Sequence, residues 1–297
     1  MQIKDNYLNR KAGVWIWAKV GITALAVFFI YNRFQNQEIS LKLVEWPDRS
    51  FRVIAVVVLL MVVNWSLEAF RWKVSVKVFE QVNFYESLKM VLGGLALNWV
   101  LPFTTGDAIF RLAQLKDRYH ATSAMIINRG ILLAITIFYG LTSINFYSAD
   151  WIDFNVFAIG IPLIIVLILG FFRKRLSRFF DYFKQIEGID ILLVSGISVL
   201  RYTVFVFQFF LLLDLFLPEA SAKILLLGIG WIFFFRSVLP SILGGVGVRE
   251  ASGLIFFSEV SDPTLVIIPV FIIWVINNAI PSIFGLAAIY SARLKPS

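Results

Sequence analysis

Two short runs of the sequence place arginines and carboxylates beside helix-breaking residues inside otherwise apolar stretches. The first reads Val100-Leu101-Pro102, then Gly106 four residues after the proline, Asp107, and Arg111 nine after it. The second reads Val238-Leu239-Pro240, then Gly244 at the same offset of four and Arg249 at nine, with Glu250 beside it. Gly245 and Gly247 complete the second break. An arginine at the centre of a bilayer costs about 2.5–3.5 kcal/mol on the insertion scale, yet Arg129, Arg201, Arg236 and Arg249 all sit in or beside apolar runs. Their chemistry is electrostatic. Helices restarting near Asp107 and Val248 turn free N–H groups and a positive dipole end towards an anion. One reading is an anionic head group drawn to those helix starts and clasped by Arg111, Arg249, Arg129 and Arg236. The other is structural ion pairing: Asp107 and Arg111 are four apart on one helix face, and Glu250 is placed to neutralise Arg236 or Arg129.

The remaining polar residues have plainer readings. Asn98, Asn128, Asn277 and Asn278 suit helix–helix hydrogen bonding. Glu68 and Arg71 read as a local pair, or as snorkelling residues, near the inner end of a span. His120, the one histidine, lies in a basic segment and reads as solvated. With no cysteine, one histidine and no carboxylates at ligand spacing, neither a metal nor another cofactor is expected. No nucleophile elbow, phosphate-binding nucleotide loop or glycosidase carboxylate pair is present, so an enzyme is not the first expectation.

The elements that must hold these residues follow from composition. Of 297 residues, 59% are hydrophobic and only 15% charged, with mean hydropathy +0.82. Soluble domains carry roughly a quarter charged residues, so a soluble protein is excluded. An all-α integral membrane protein is expected, forming one polytopic domain over 1–297. The net charge of +8 fits basic loops at an anionic cytoplasmic leaflet rather than nucleic acid. Apolar runs at 14–31, 53–69, 130–149, 154–172, 191–213 and 264–292 predict about six full spans of some 20 residues each.

Loop charge sets their direction. Basic residues crowd 71–89, 111–120 and 173–184, whereas 147–153, 216–222 and 258–262 are acidic. By the positive-inside rule the first group is cytoplasmic, as are both termini. The segment 90–106 then starts and ends inside, and 223–258 starts and ends outside. Two re-entrant hairpins are therefore expected, at about 88–118 and 223–258, entering from opposite sides as an inverted repeat. Broken helices in inverted repeats are a transporter arrangement.

Asn98, Leu101-Pro102, Gly106-Asp107, Arg111, Asn128-Arg129, Pro240 and the run Gly244-Gly245-Val246-Gly247-Val248-Arg249-Glu250 resemble the lysylphosphatidylglycerol synthase transmembrane-region family, the flippase-like domain of multiple peptide resistance factor. The resemblance covers nearly the whole chain. Family members often carry a basic residue where this chain has Thr104, and glutamate where it has Asn128. The resemblance implies an inner-membrane protein that moves a lipid between leaflets. Two-domain members add a soluble domain that transfers an aminoacyl group to phosphatidylglycerol. No stretch of this chain supplies one, so transport rather than synthesis is expected. The expected substrate-binding set is Asn98, Pro102, Gly106, Asp107, Arg111, Arg129, Arg236, Gly244, Gly245, Gly247, Arg249 and Glu250. The expected partner is a membrane lipid with an anionic head, with a homo-oligomer or a separate lipid-modifying enzyme as further partners. The alternatives are an intramembrane enzyme using Asp107 or Glu250 as acid or base, and a non-catalytic partner of a separate glycosyltransferase or synthase.

Overall fold

The computed structural model describes residues 21, 24–32, 46–99, 105–147, 185–239, 245, 247–258 and 262–293. Among them the secondary structure is entirely helical: α1 Ser50–Val76, α2 Phe84–Leu97, α3 Thr105–Ala113, α4 Arg118–Tyr147, α5 Gly188–Phe216, α6 Ala222–Val238, α7 Val248–Phe256, α8 Pro263–Trp274, a π-helical segment Val275–Ala279, and α9 Ile280–Arg293. Four stretches are long and apolar enough to cross a membrane: Ser50–Val76, Arg118–Ile144, Gly188–Phe216 and Pro263–Ser291. They match four of the six predicted spans. Residues 24–31, part of the predicted span at 14–31, are helical, and 154–172 lies outside the described residues.

Helix ends differ from the sequence expectation in one consequential way. α1 has 27 residues and α5 has 29, about 40 Å each at 1.5 Å per residue. α1 continues two turns past the predicted end at 69, so Arg71 and Lys73 belong to the helix and not to the following loop. α1 and α5 run antiparallel. Arg49 pairs with Asp214 at one end (3.0 Å), Lys77 with Asp190 at the other (2.6 Å), and Gln208 Nε2 donates to the Val57 carbonyl between them (2.8 Å).

Both broken segments fold as two helices doubled back on each other. α2 begins at a capping box, in which Asn83 Oδ1 accepts from the Glu86 N–H and Glu86 Oε2 from the Asn83 N–H. α3 then returns along it. A Cβ on Gly94 would lie 2.8 Å from Asp107 Cα, and one on Gly106 would overlap the Leu97 carbonyl carbon. Only glycine lets these backbones approach so closely. In the second break Gly245 and Gly247 adopt φ of +93° and +87°, which side-chain-bearing residues avoid. α7 returns along α6, with Phe257 against Gly228 and Gly253 against Ile232.

Each broken pair is covered by a further helix. α9 covers α2, with Gly285 against the Leu92 carbonyl, and α4 covers α6, with Gly140 against Phe234 and Gly230 against Ser143. One apolar core, built on Val57, Phe209, Leu213, Ile229, Phe233, Phe257 and Val270, binds α1, α5 and the second broken pair to α8. A second core of Trp72, Val91, Leu115, Ala121 and Met125 binds α1 to the first pair and α4. Trp65 packs against both.

α8 and α9 form one interrupted helix, which the sequence reading took as continuous. Pro281 has no N–H to give to the Asn277 carbonyl. The ladder widens there, and the Ile280 N–H donates to the Val275 carbonyl, five residues back. Asn277 consequently sits at the irregular turn.

Candidate functional site

Between the two cores lies a cluster of charges carried by α1, α3, α4 and α5. Glu68 on α1 is 4% exposed and stands at its centre. Arg111 donates to its Oε1 at 2.9 Å, while Arg71 and Arg201 approach Oε2 at 2.6 and 2.9 Å as charge contacts rather than aligned hydrogen bonds. Asp107 takes Arg111 Nε on one oxygen (2.6 Å) and Arg129 on the other (3.1 Å). Arg71 also donates to Ser198 Oγ on α5 and to the Asn128 carbonyl on α4. The indole of Trp72 lies under Arg111 and that of Trp65 under Arg201, with guanidinium-to-centroid distances of 5.2 and 5.4 Å.

Local structure explains why these groups meet. Asn64, Glu68, Arg71 and Ser75 are spaced four, three and four apart, which aligns them along one stripe of α1. Asp107 falls in the first turn of α3, where a carboxylate suits the helix dipole, and Arg111 follows one turn later. Asn98, beyond the end of α2, accepts the Asp107 N–H on its Oδ1 (2.8 Å) and so caps α3 across the break. Ser75 Oγ contacts Asn128 Oδ1 at 3.0 Å. Arg201 Nε donates to Asn64 Oδ1 (2.9 Å), and Asn64 Nδ2 donates to Asn277 Oδ1 (3.3 Å) in the π segment.

A smaller group of polar side chains forms at the second break. Glu250 Oε2 accepts the Gly247 N–H (2.7 Å), fixing the start of α7. Arg249 lies 3.4 Å from Glu250 Oε1, donates from Nε to the Gly245 carbonyl, and rests over Trp274 at 6.0 Å. The stem of Arg236 packs on Gly245. Trp274 in turn meets Trp99, just past α2, with centroids 5.3 Å apart, and Trp99 Nε1 donates to Ser282. The interrupted helix α8–α9 therefore touches both groups.

Asn98, Gly106, Asp107, Arg111 and Arg129 thus come together in the first group, and Arg236, Gly245, Gly247, Arg249 and Glu250 in the second. Pro102 and Gly244 lie outside the described residues. Arg111 and Arg249, expected to act together, belong to separate networks. Of the expected ion pairs, Asp107–Arg111 is present and Glu250 acts on the charge of Arg236, while Arg249 contacts Glu250 as well. Asn98, Asn128 and Asn277 bridge elements, whereas Asn278 donates to Trp274 within its own helix (3.3 Å). His120 pairs with Asp117 (2.6 Å) away from the cluster, and that contact holds the Asp117 carboxyl below its ordinary range. Among the described residues no three His, Cys, Asp or Glu side chains lie together as metal ligands.

The sequence reading missed the centre of the site. In the sequence Glu68 and Arg71 read as a local pair or as snorkelling residues near a helix end, and Arg201 reads as an intramembrane arginine without a role. The polar stripe on α1, flanked by Trp65 and Trp72 seven residues apart, was the available signal.

No curated protein and no solved structure matches this chain. The sequence pattern of the lysylphosphatidylglycerol synthase transmembrane region, a membrane domain associated with lipid handling, matches residues 16–285, and the chain belongs to that family.

Proposed function

We propose that the protein is a transporter, a flippase that carries a lipid with an anionic, phosphate-bearing head between the leaflets of the inner membrane. The observation that carries this reading is the charge cluster: four arginines around two carboxylates, set inside an apolar helical body at a helix break. Intramembrane ionisable groups mark substrate pathways. Arg129, half exposed, and Arg201, 15% exposed at its side chain, are the arginines a head group reaches first. Glu68 and Asp107 hold these arginines in the empty state.

Two re-entrant hairpins in an inverted repeat give the chain its two access states. Three observations support this. α2 and α6, of 14 and 17 residues, are about 21 and 25 Å long, short of a hydrocarbon core of about 30 Å. α9 packs on α2 as α4 packs on α6, and α1 and α5, which the repeat would relate, run antiparallel. One polytopic domain with cytoplasmic termini accommodates this arrangement.

The test is leaflet exchange of fluorescent lipids in liposomes holding the purified protein. Faster exchange of an anionic lipid than of phosphatidylcholine, slowed by Arg129→Gln, is the expected result. Unaccelerated exchange of every lipid overturns the reading. Chemical conversion of the labelled lipid would replace it with the intramembrane-enzyme alternative.

A further inference from the structure

The cluster around Glu68 lacks two things, and both point to the same occupant. Charge is the first. Arg71, Arg111, Arg129 and Arg201 face only Glu68 and Asp107, leaving two positive charges unmatched among the described residues. Three of the four arginines are largely buried, and the part of the surplus they carry is costly in a medium of low dielectric constant unless an anion shares the space. Hydrogen-bond acceptors are the second. Among the described residues Arg71 Nε, Trp65 Nε1, Trp72 Nε1 and Asn128 Nδ2 are buried without an acceptor, four donors against the one acceptor of the cluster left without an aligned donor, Glu68 Oε2. For the arginine and the two indoles no reorientation turns the donor into an acceptor. Arg71, Trp72 and Asn128 are each less than 5% exposed. The Trp65 and Trp72 rings lie under the arginines of the cluster itself. Buried donors in folded proteins are normally satisfied.

Building on the lipid-transport reading above, we infer that this site takes a doubly charged phosphate group, a phosphomonoester or terminal diphosphate head, in preference to the singly charged phosphodiester of ordinary phospholipids. A terminal phosphate supplies two negative charges and three oxygens free to accept hydrogen bonds from several directions. A phosphodiester offers one charge and two such oxygens, and leaves one arginine unmatched. The open side is at Arg129, whose side chain is half exposed and has no partner besides Asp107 among the described residues.

Binding is measured apart from transport. The purified protein in detergent is titrated with phosphatidic acid, phosphatidylglycerol or inorganic phosphate, and thermal stabilisation gives each half-maximal concentration. At pH 8 phosphatidic acid is expected to act at about one-tenth of the phosphatidylglycerol concentration, the factor carried by one further charge-assisted contact. At pH 5, below a second phosphate pKa of about 6, that advantage disappears while phosphatidylglycerol binding stays constant. The groups facing the site are Glu68 and Arg71 on α1, Asp107 and Arg111 on α3, Arg129 on α4 and Arg201 on α5. None is a histidine, and phosphatidylglycerol controls for any titration of the protein. Arg129→Gln, which removes a surplus charge, and Asn128→Asp, which adds a carboxylate beside Arg71, are each expected to reduce the preference at pH 8. Equal affinity for the two lipids at pH 8, or a preference that persists at pH 5, overturns the inference and leaves lipid transport standing. Tight phosphatidic acid binding with no leaflet exchange sustains the site and removes the transport reading. Inorganic phosphate acting as strongly as phosphatidic acid would identify a soluble dianion, with no part for the lipid chains.

Discussion

Glu68→Gln is the most informative single perturbation, because it preserves side-chain shape and removes the charge around which three arginines gather. Glu68 and Arg71 are almost fully buried, and Arg111 is 5% exposed, so water cannot replace the lost carboxylate. Removing one partner of a buried ion pair costs about 3–5 kcal/mol, chiefly because the other charge is left uncompensated. Here Arg71, Arg111 and Arg201 all lose their contacts at 2.6–2.9 Å, so that range is a lower bound. It corresponds to roughly two to three and a half orders of magnitude in the folding equilibrium. The assay is unfolding by a denaturing detergent, followed by tryptophan fluorescence. Arg201→Gln alone should cost less, since Glu68 retains two arginines. The double variant should lose less than the sum of the single losses, with a coupling of about 0.5–3 kcal/mol. Stability of Glu68→Gln within about 0.5 kcal/mol of wild type, or strict additivity with Arg201→Gln, would refute the view that Glu68 organises the cluster.

Gly106→Ala should prevent stable folding, since its Cβ overlaps the Leu97 backbone, whereas Gly130→Ala and Gly196→Ala meet nothing within 4 Å and should be neutral or stabilising by up to about 1 kcal/mol; the same unfolding assay separates them. Gly247→Ala, at φ +87°, should destabilise by about 1–2 kcal/mol and slow exchange by misplacing the start of α7; full activity would count against a fixed break there. The chain has no cysteine, so single cysteines at Lys89 and Lys116 should be labelled only from the cytoplasmic side, and those at Glu219 and Asp262 only from outside. Labelling of Lys89 and Lys116 from opposite sides would show the first broken pair to be a crossing. Pro281→Ala restores an N–H opposite the Asn277 carbonyl and should increase amide protection through Val275–Ala279; unchanged exchange would mean that packing, not the proline, sets the π segment.

Some of this protein was legible before any fold was known. Apolar runs of span length marked α1, α4, α5 and the α8–α9 stretch, because a bilayer constrains helix length and composition strongly. The two breaks were legible because proline and the glycine runs leave few backbone choices. The Asp107–Arg111 pair followed from helical spacing alone. What the one-dimensional pattern did not carry was which distant side chains share a volume. Glu68 reads on α1 as the neighbour of Arg71, and only the packing of α3 and α5 against that helix adds Arg111 and Arg201. The separation of Arg111 from Arg249 was likewise decided by tertiary structure, since matching motifs say nothing of whether their side chains converge. Length, burial and local breaks are short-range consequences of residue type, so the sequence by itself determined them. The net charge and donor surplus of the site are sums over four helices, and only their packing decided those.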